Sequence, residues 1–196
     1  MRLFKIVLLC ILICKEANSL YAQPIKSEAT KYQSIQKSGM VILGGWALGN
    51  AVYSIPIAVY YKDNTFNHNF ALMNIGWSTV NFGIATIGLL GNLKAPNSDD
   101  EVMPLIRKNQ KIYLINSGLD IMYLTAGLYM SERGYYLNNP QLQGFGTSIL
   151  LQGGFLAMFD LYQYFRLHKL KKSILKSSTF SLDTSYSRGI SLTLHF

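Results

Sequence analysis

Residues 70–93 read FALMNIGWSTVNFGIATIGLLGNL, twenty-four residues without one Lys, Arg, Asp or Glu. As a helix rising 1.5 Å per residue, the stretch covers the roughly 30 Å hydrocarbon layer of a bilayer. Three further runs have the same character: residues 39–61 (GMVILGGWALGNAVYSIPIAVYY), 112–131 (IYLINSGLDIMYLTAGLYMS) and 145–165 (FGTSILLQGGFLAMFDLYQYF). None contains Lys or Arg, and aromatic and basic residues gather at their ends. The expected fold is therefore an all-α membrane protein, four transmembrane helices in a bundle.

Composition agrees. The 196-residue chain is 49% hydrophobic and 14% charged, whereas soluble domains carry roughly 25% charged residues. Its net charge of +8 could point to nucleic acid. The bases sit in short clusters between apolar runs, as membrane proteins mark their loops, and no nucleic-acid-reading motif accompanies them. The partner expected from this pattern is the lipid bilayer, with no nucleic acid and no identified ligand.

Residues 1–22 form a signal-peptide-like segment: basic MRLFK, the apolar core IVLLCILIC, then polar KEANSLYA. Nine apolar residues are too few to span a bilayer. Both cysteines, Cys10 and Cys14, fall here, so a processed chain would have neither a disulfide nor a thiolate metal site. The transmembrane domain is expected over 23–172. A tail follows, 173–196, in which alternating Phe180, Leu182, Ile190, Leu192, Leu194 and Phe196 around SRG predict a short β-hairpin.

Orientation is contested within the sequence. Four spans put both ends of the processed chain on one side, with thirteen of the fifteen Lys and Arg residues beyond the leader; the other side holds Lys62 and Arg133. Positive-inside logic places the rich side in the cytoplasm, whereas a cleaved leader places the new N-terminus outside. The clear tripartite leader favours cleavage. The expected location is a bacterial inner membrane.

Each span carries polar residues at helical spacing. In span three Asn116, Asp120, Tyr123 and Gly127 fall within a sector of about 60°. Asn74, Trp77, Ser78 and Asn81 share a face of span two, continued by Ala85 and Gly88. Span one offers Trp46, Asn50 and Tyr53 beside Gly45 and Gly49, a spacing that lets membrane helices approach closely. Ser148 and Gln152 align on span four, while Asp160 lies about 80° round from Gln152 and need not face the same place. Asn50–Tyr53 and Asp120–Tyr123 repeat one pattern, Asn74–Trp77 and Gln152–Phe155 another. A duplicated helical hairpin joined by the 94–111 linker would produce this, as would chance. In that linker Ser98 and Glu101 have capping-box spacing before a helix, and Pro56 should kink or weaken span one near Val52.

Lipid cannot satisfy amides or acids, so these groups should point inward and bond to one another. As interhelical bonds each is worth about 0.6 kcal/mol. An intramembrane acid costs about 2.5–3.5 kcal/mol at a helix centre. With no Lys or Arg in any span, Asp120 and Asp160 are either protonated or accompanied by a cation or water. The first functional expectation is a structural or partner-binding membrane component. The alternative is a small proton, cation or polar-solute transporter, for which four spans would need a homodimer. A membrane-embedded enzyme comes third. No His lies within a span to act as a base, and no cluster has metal-ligand spacing, so no catalytic residue, metal or cofactor is assigned.

With LGGWALGN, MNIGWSTVNFGIA, NSGLDIMYLTAGLY and GFGTSILLQGGFLAMFDLYQYF in view, the chain resembles a family of small bacterial four-span membrane proteins of unknown function. The resemblance covers about residues 39–165. It implies Trp46, Asn50, Asn74, Trp77, Asn81, Asn116, Asp120, Gln152 and Asp160 as motif positions, and no activity.

Overall fold

The computed structural model describes residues 27–92, 96 and 98–185, with side chains as far as 177. Among the described residues four helices run in chain order: α1 (Glu28–Tyr60), α2 (Thr65–Gly91), α3 (Val102–Tyr136) and α4 (Pro140–Ser185), with one 3-10 turn, Asp99–Glu101, ahead of α3. The leader expected over 1–22 lies outside the described residues.

Local chemistry sets the helix ends. Ser27 Oγ accepts the Thr30 N–H and opens α1, whose first turn carries a Lys31–Glu28 ion pair at 2.9 Å. Asn64 Oδ1 caps α2 through the Asn67 N–H at 3.0 Å. Between α3 and α4, Asn138 takes a left-handed conformation (φ 50°), which asparagine tolerates better than most residues. Asn139 Oδ1 then receives the Leu142 N–H, with Pro140 at the first helical position.

The linker differs from expectation. Ser98 makes no capping bond, so the capping box does not form. Asp99 Oδ1 instead accepts the Ala29 N–H at 2.8 Å and ties the start of α3 to the start of α1. The tail differs too. Residues 179–185, expected as the first strand of a hairpin, continue α4, and 186–196 lie outside the described residues. Alternation of apolar residues over so few positions is also compatible with a helix already propagating from a long N-terminal stretch. Pro56 does not end α1, which continues to Tyr60.

α1 and α2 form one antiparallel hairpin and α3 and α4 another. α4 is the hub, packing against the other three helices. It lies so close to its neighbours that glycine is required: a Cβ on Gly146 would stand 2.3 Å from the Ser131 nitrogen of α3, and one on Gly144 2.5 Å from the Phe66 oxygen of α2. The Gly45/Gly49 pair is not used this way. A Cβ at either would meet nothing within 4 Å.

Burial is inverted relative to a water-soluble bundle. The apolar core gathers at one end, where Tyr32, Val102, Ile106, Tyr113, Leu167 and Leu170 pack the N-terminal parts of α1 and α3 against the later half of α4. Along the middle of the helices the interior is alanine, glycine, serine and amides. Large apolar side chains such as Val52, Ile55, Val80, Ile84 and Ile87 stand exposed outside. α1, α2 and Pro140–Ser177 of α4 are long and apolar enough to cross a membrane. α3 is not among these three, because Asn116, Ser117 and Asp120 interrupt its apolar run.

The seam predicts its own sensitivity. Gly146→Val should destabilise the protein by about 1–3 kcal/mol through overpacking, whereas Gly45→Ala, whose Cβ meets nothing within 4 Å, should not lower the unfolding midpoint in detergent micelles, alanine being the better helix former; thermal unfolding of both variants checks this.

Candidate functional site

The interior polar groups form two layers. The first is centred on Gln152 of α4, which is fully buried. Its Oε1 accepts the Trp46 indole N–H of α1 at 2.9 Å, and its Nε2 donates to Asn74 Oδ1 of α2 at 2.7 Å. One amide thus links three helices. The Trp46 ring is held flat on Phe155, one turn along α4, at 4.0 Å between centroids and 4° between planes. Asn50 donates to the Trp46 carbonyl at 2.9 Å, bracing the same turn of α1.

The second layer joins α3 and α4. Asp120 and Asp160 are both buried, and their carboxyl groups lie within hydrogen-bonding reach of each other, with Asn116 beside Asp160. A carboxyl–carboxyl hydrogen bond needs a proton on one partner, since an ionised carboxylate only accepts. Among the described residues, no donor reaches Asp120 Oδ2. Asp160 lies eight residues beyond Gln152, about 12 Å along the helix axis. The acids therefore meet each other at a level of their own, and the Asn74–Gln152 amides belong to the other layer.

Of the sequence-expected residues, Asn50, Asn74, Asn81, Asp120, Gln152 and Asp160 are all buried, and Trp46, Trp77 and Asn116 are half-buried. Tyr123 departs from expectation. It is exposed at the edge of the inward sector, its ring meeting Trp77 edge-on at 5.1 Å. Sequence reasoning missed Ser54, Gln36, Gln110 and Gln163, all buried. Ser54 follows Asn50 by one turn and could have been found by extending that face. The glutamines lie at or beyond the ends of the apolar runs, where a polar residue ordinarily signals solvent.

Many of these groups lack partners. The hydroxyls of Ser54, Ser78 and Ser148 and the amide nitrogens of Asn74, Asn81 and Gln163 are enclosed without a hydrogen bond among the described residues. The contrast with the outer surface is informative. Exposed Thr79, Thr86 and Thr125 each donate to the carbonyl four residues back, at 2.8–2.9 Å, and so satisfy themselves. Enclosed polar atoms of this kind are where buried water is ordinarily found. Among the described residues, no three His, Cys, Asp or Glu side chains come together in a metal-ligating group. His68 and His168 serve locally: the first contacts the Ala58 carbonyl at 3.0 Å, the second stacks on Tyr164.

These features define a class: an all-helical protein with at least three helices of membrane-crossing length and a polar interior bonded between helices. More particularly, the chain belongs to the family of unknown function DUF6992, whose model matches residues 42–161. The match contains both polar layers and part of the apolar end cluster, with Val102, Ile106 and Tyr113 inside it and Tyr32, Leu167 and Leu170 outside. No curated protein and no solved structure matches the chain.

Asn74 and Gln152 should prove energetically coupled. In a double-mutant cycle of Asn74→Leu and Gln152→Leu, each single change strands one buried amide, and the double change strands neither at this contact. A coupling of about 0.6–1.7 kcal/mol is expected, measured by reversible unfolding in micelles.

Proposed function

We propose that the protein is a four-span integral membrane protein of the bacterial inner membrane, acting as a structural or partner-binding component whose polar interior sets how its helices pack. The observation that carries this is the inversion of burial: amides, hydroxyls and two acids inside, large aliphatic side chains outside. Water would select the opposite arrangement, whereas hydrocarbon leaves polar groups no partner but each other. α3 joins as the fourth span because its outward positions are apolar, Ile112, Ile115, Leu119, Ile121, Met122 and Leu128, while Ser117 and Asp120 turn inward. The leader over 1–22 would direct insertion. Gln152 bonded to both Trp46 and Asn74 supports the structural role, since one residue holds three helices in register.

A second reading, transport of a proton, cation or small polar solute, is favoured by one observation. Among the described residues Asp120 Oδ2 is enclosed without a donor beside a second acid, and no Lys or Arg occurs in residues 112–131 or 145–165 to balance them. Such acids seldom stand idle in a membrane.

Asp120→Asn and Asp160→Asn separate the two. An asparagine keeps the shape and donates its own N–H to the remaining carboxyl. Under the structural reading, protein level and unfolding midpoint stay within about 1 kcal/mol of wild type, and wild-type proteoliposomes carry no proton or cation flux. Wild-type flux that collapses in either folded variant would replace the structural reading with transport.

A further inference from the structure

On the membrane reading above, we infer that α1 is the interface through which two copies of this chain pair side by side in the bilayer. Gly45, Trp46, Gly49, Asn50 and Tyr53 line an open notch of about 270 Å³ on α1, near the middle of its apolar run. The helix is bare here, because a Cβ on Gly45 or Gly49 would meet nothing within 4 Å.

Two polar groups look into the notch. Asn50 is 8% exposed, and its Nδ2 is spent on the Trp46 carbonyl, while its Oδ1 accepts no bond from any described donor. Tyr53 is 62% exposed, and its hydroxyl has no partner among the described residues. A threonine on the outside can turn back to its own helix, as Thr79, Thr86 and Thr125 do. A tyrosine hydroxyl sits too far from its own backbone for that. A lipid chain filling the notch would leave both groups unsatisfied in hydrocarbon, where that is costly.

A second α1, related by a two-fold axis along the membrane normal, satisfies them. The glycines let the two backbones approach. In a two-fold interface, each residue's contact is made twice, reciprocally. Tyr53 lies three residues from Asn50, about 4.5 Å along the axis, a step its long side chain covers. Each Tyr53 hydroxyl then donates to Asn50 Oδ1 of the second copy. The Gly-xxx-Gly spacing, idle within one protomer, gains its use between two.

The test uses the full chain, with Cys10→Ser and Cys14→Ser, in phospholipid vesicles. Gly49→Cys should form a disulfide-linked dimer on mild oxidation, and Ile87→Cys on the outer face of α2 should not. Energy transfer between labelled copies should be lost in Gly45→Ile/Gly49→Ile, whose Cβ atoms meet nothing within 4 Å in the protomer. Tyr53→Phe should weaken pairing roughly eightfold, for two bonds of typical interhelical strength. Membrane-retained protein that is monomeric by single-molecule photobleaching overturns the inference, as does pairing unaffected by the isoleucines, or a phospholipid retained in the notch of a monomer. Release of wild type from membranes by alkaline wash overturns the membrane reading itself and the pairing with it.

Discussion

A buried amide must be answered on both its ends, and Gln152 makes that demand at the centre of the bundle. Its oxygen requires a donor and its nitrogen an acceptor, and Trp46 and Asn74 supply them from two different helices. To bring all three together, α4 must lie against the α1–α2 hairpin, while α3 packs on α4 as well. The glycines follow from this placement. A helix contacting three others cannot keep side chains at every contact, so Gly144 faces α2, and Gly146 faces α3, at backbone distance.

The molecule has two kinds of interior along its length. At one end α1, α3 and α4 enclose aromatic and aliphatic side chains, with Arg107, Lys108, Lys169 and Lys172 exposed around them, as a water-facing cluster would. Toward the middle the enclosed groups become Ser, Asn, Gln and Asp, and the aliphatic residues move outside. α4 has 46 residues, about 69 Å of helix, more than twice a bilayer core. The change of interior along one continuous helix thus accords with a bundle part in lipid and part in water.

Much of this was legible in the sequence. Period 3.6 alone put Asn74 and Asn81 on one face of α2 and predicted that both are buried, and it set Asp120 inside α3. The repeated pairs also behave alike: Asn50 and Asp120 are buried while Tyr53 and Tyr123 are exposed. What periodicity could not supply is who meets whom. Asp160 sits about 80° from Gln152 on the wheel, and periodicity gives it no destination, because a hub helix has more than one buried face and the second faces α3. Tyr123 shared the inward sector, but its large ring was pushed to the edge against Trp77. Gly45 and Gly49 had the spacing of a close approach, yet no helix of the same protomer arrives there. The capping box failed for a tertiary reason as well: Asp99 was recruited to the first turn of α1, seventy residues away in sequence.

By itself, then, the sequence determined four helices, the face each one buries and the apolar surface each one shows, since those depend on residue type and a fixed angular step. Only the tertiary structure decided that Gln152 is shared between Trp46 and Asn74, that the two acids meet each other, and that the glycine notch of α1 is left open. These depend on how four helices of unequal length and width settle around one of them. Packing of that kind is a property of the contacts between faces, which no single helix carries in its own period.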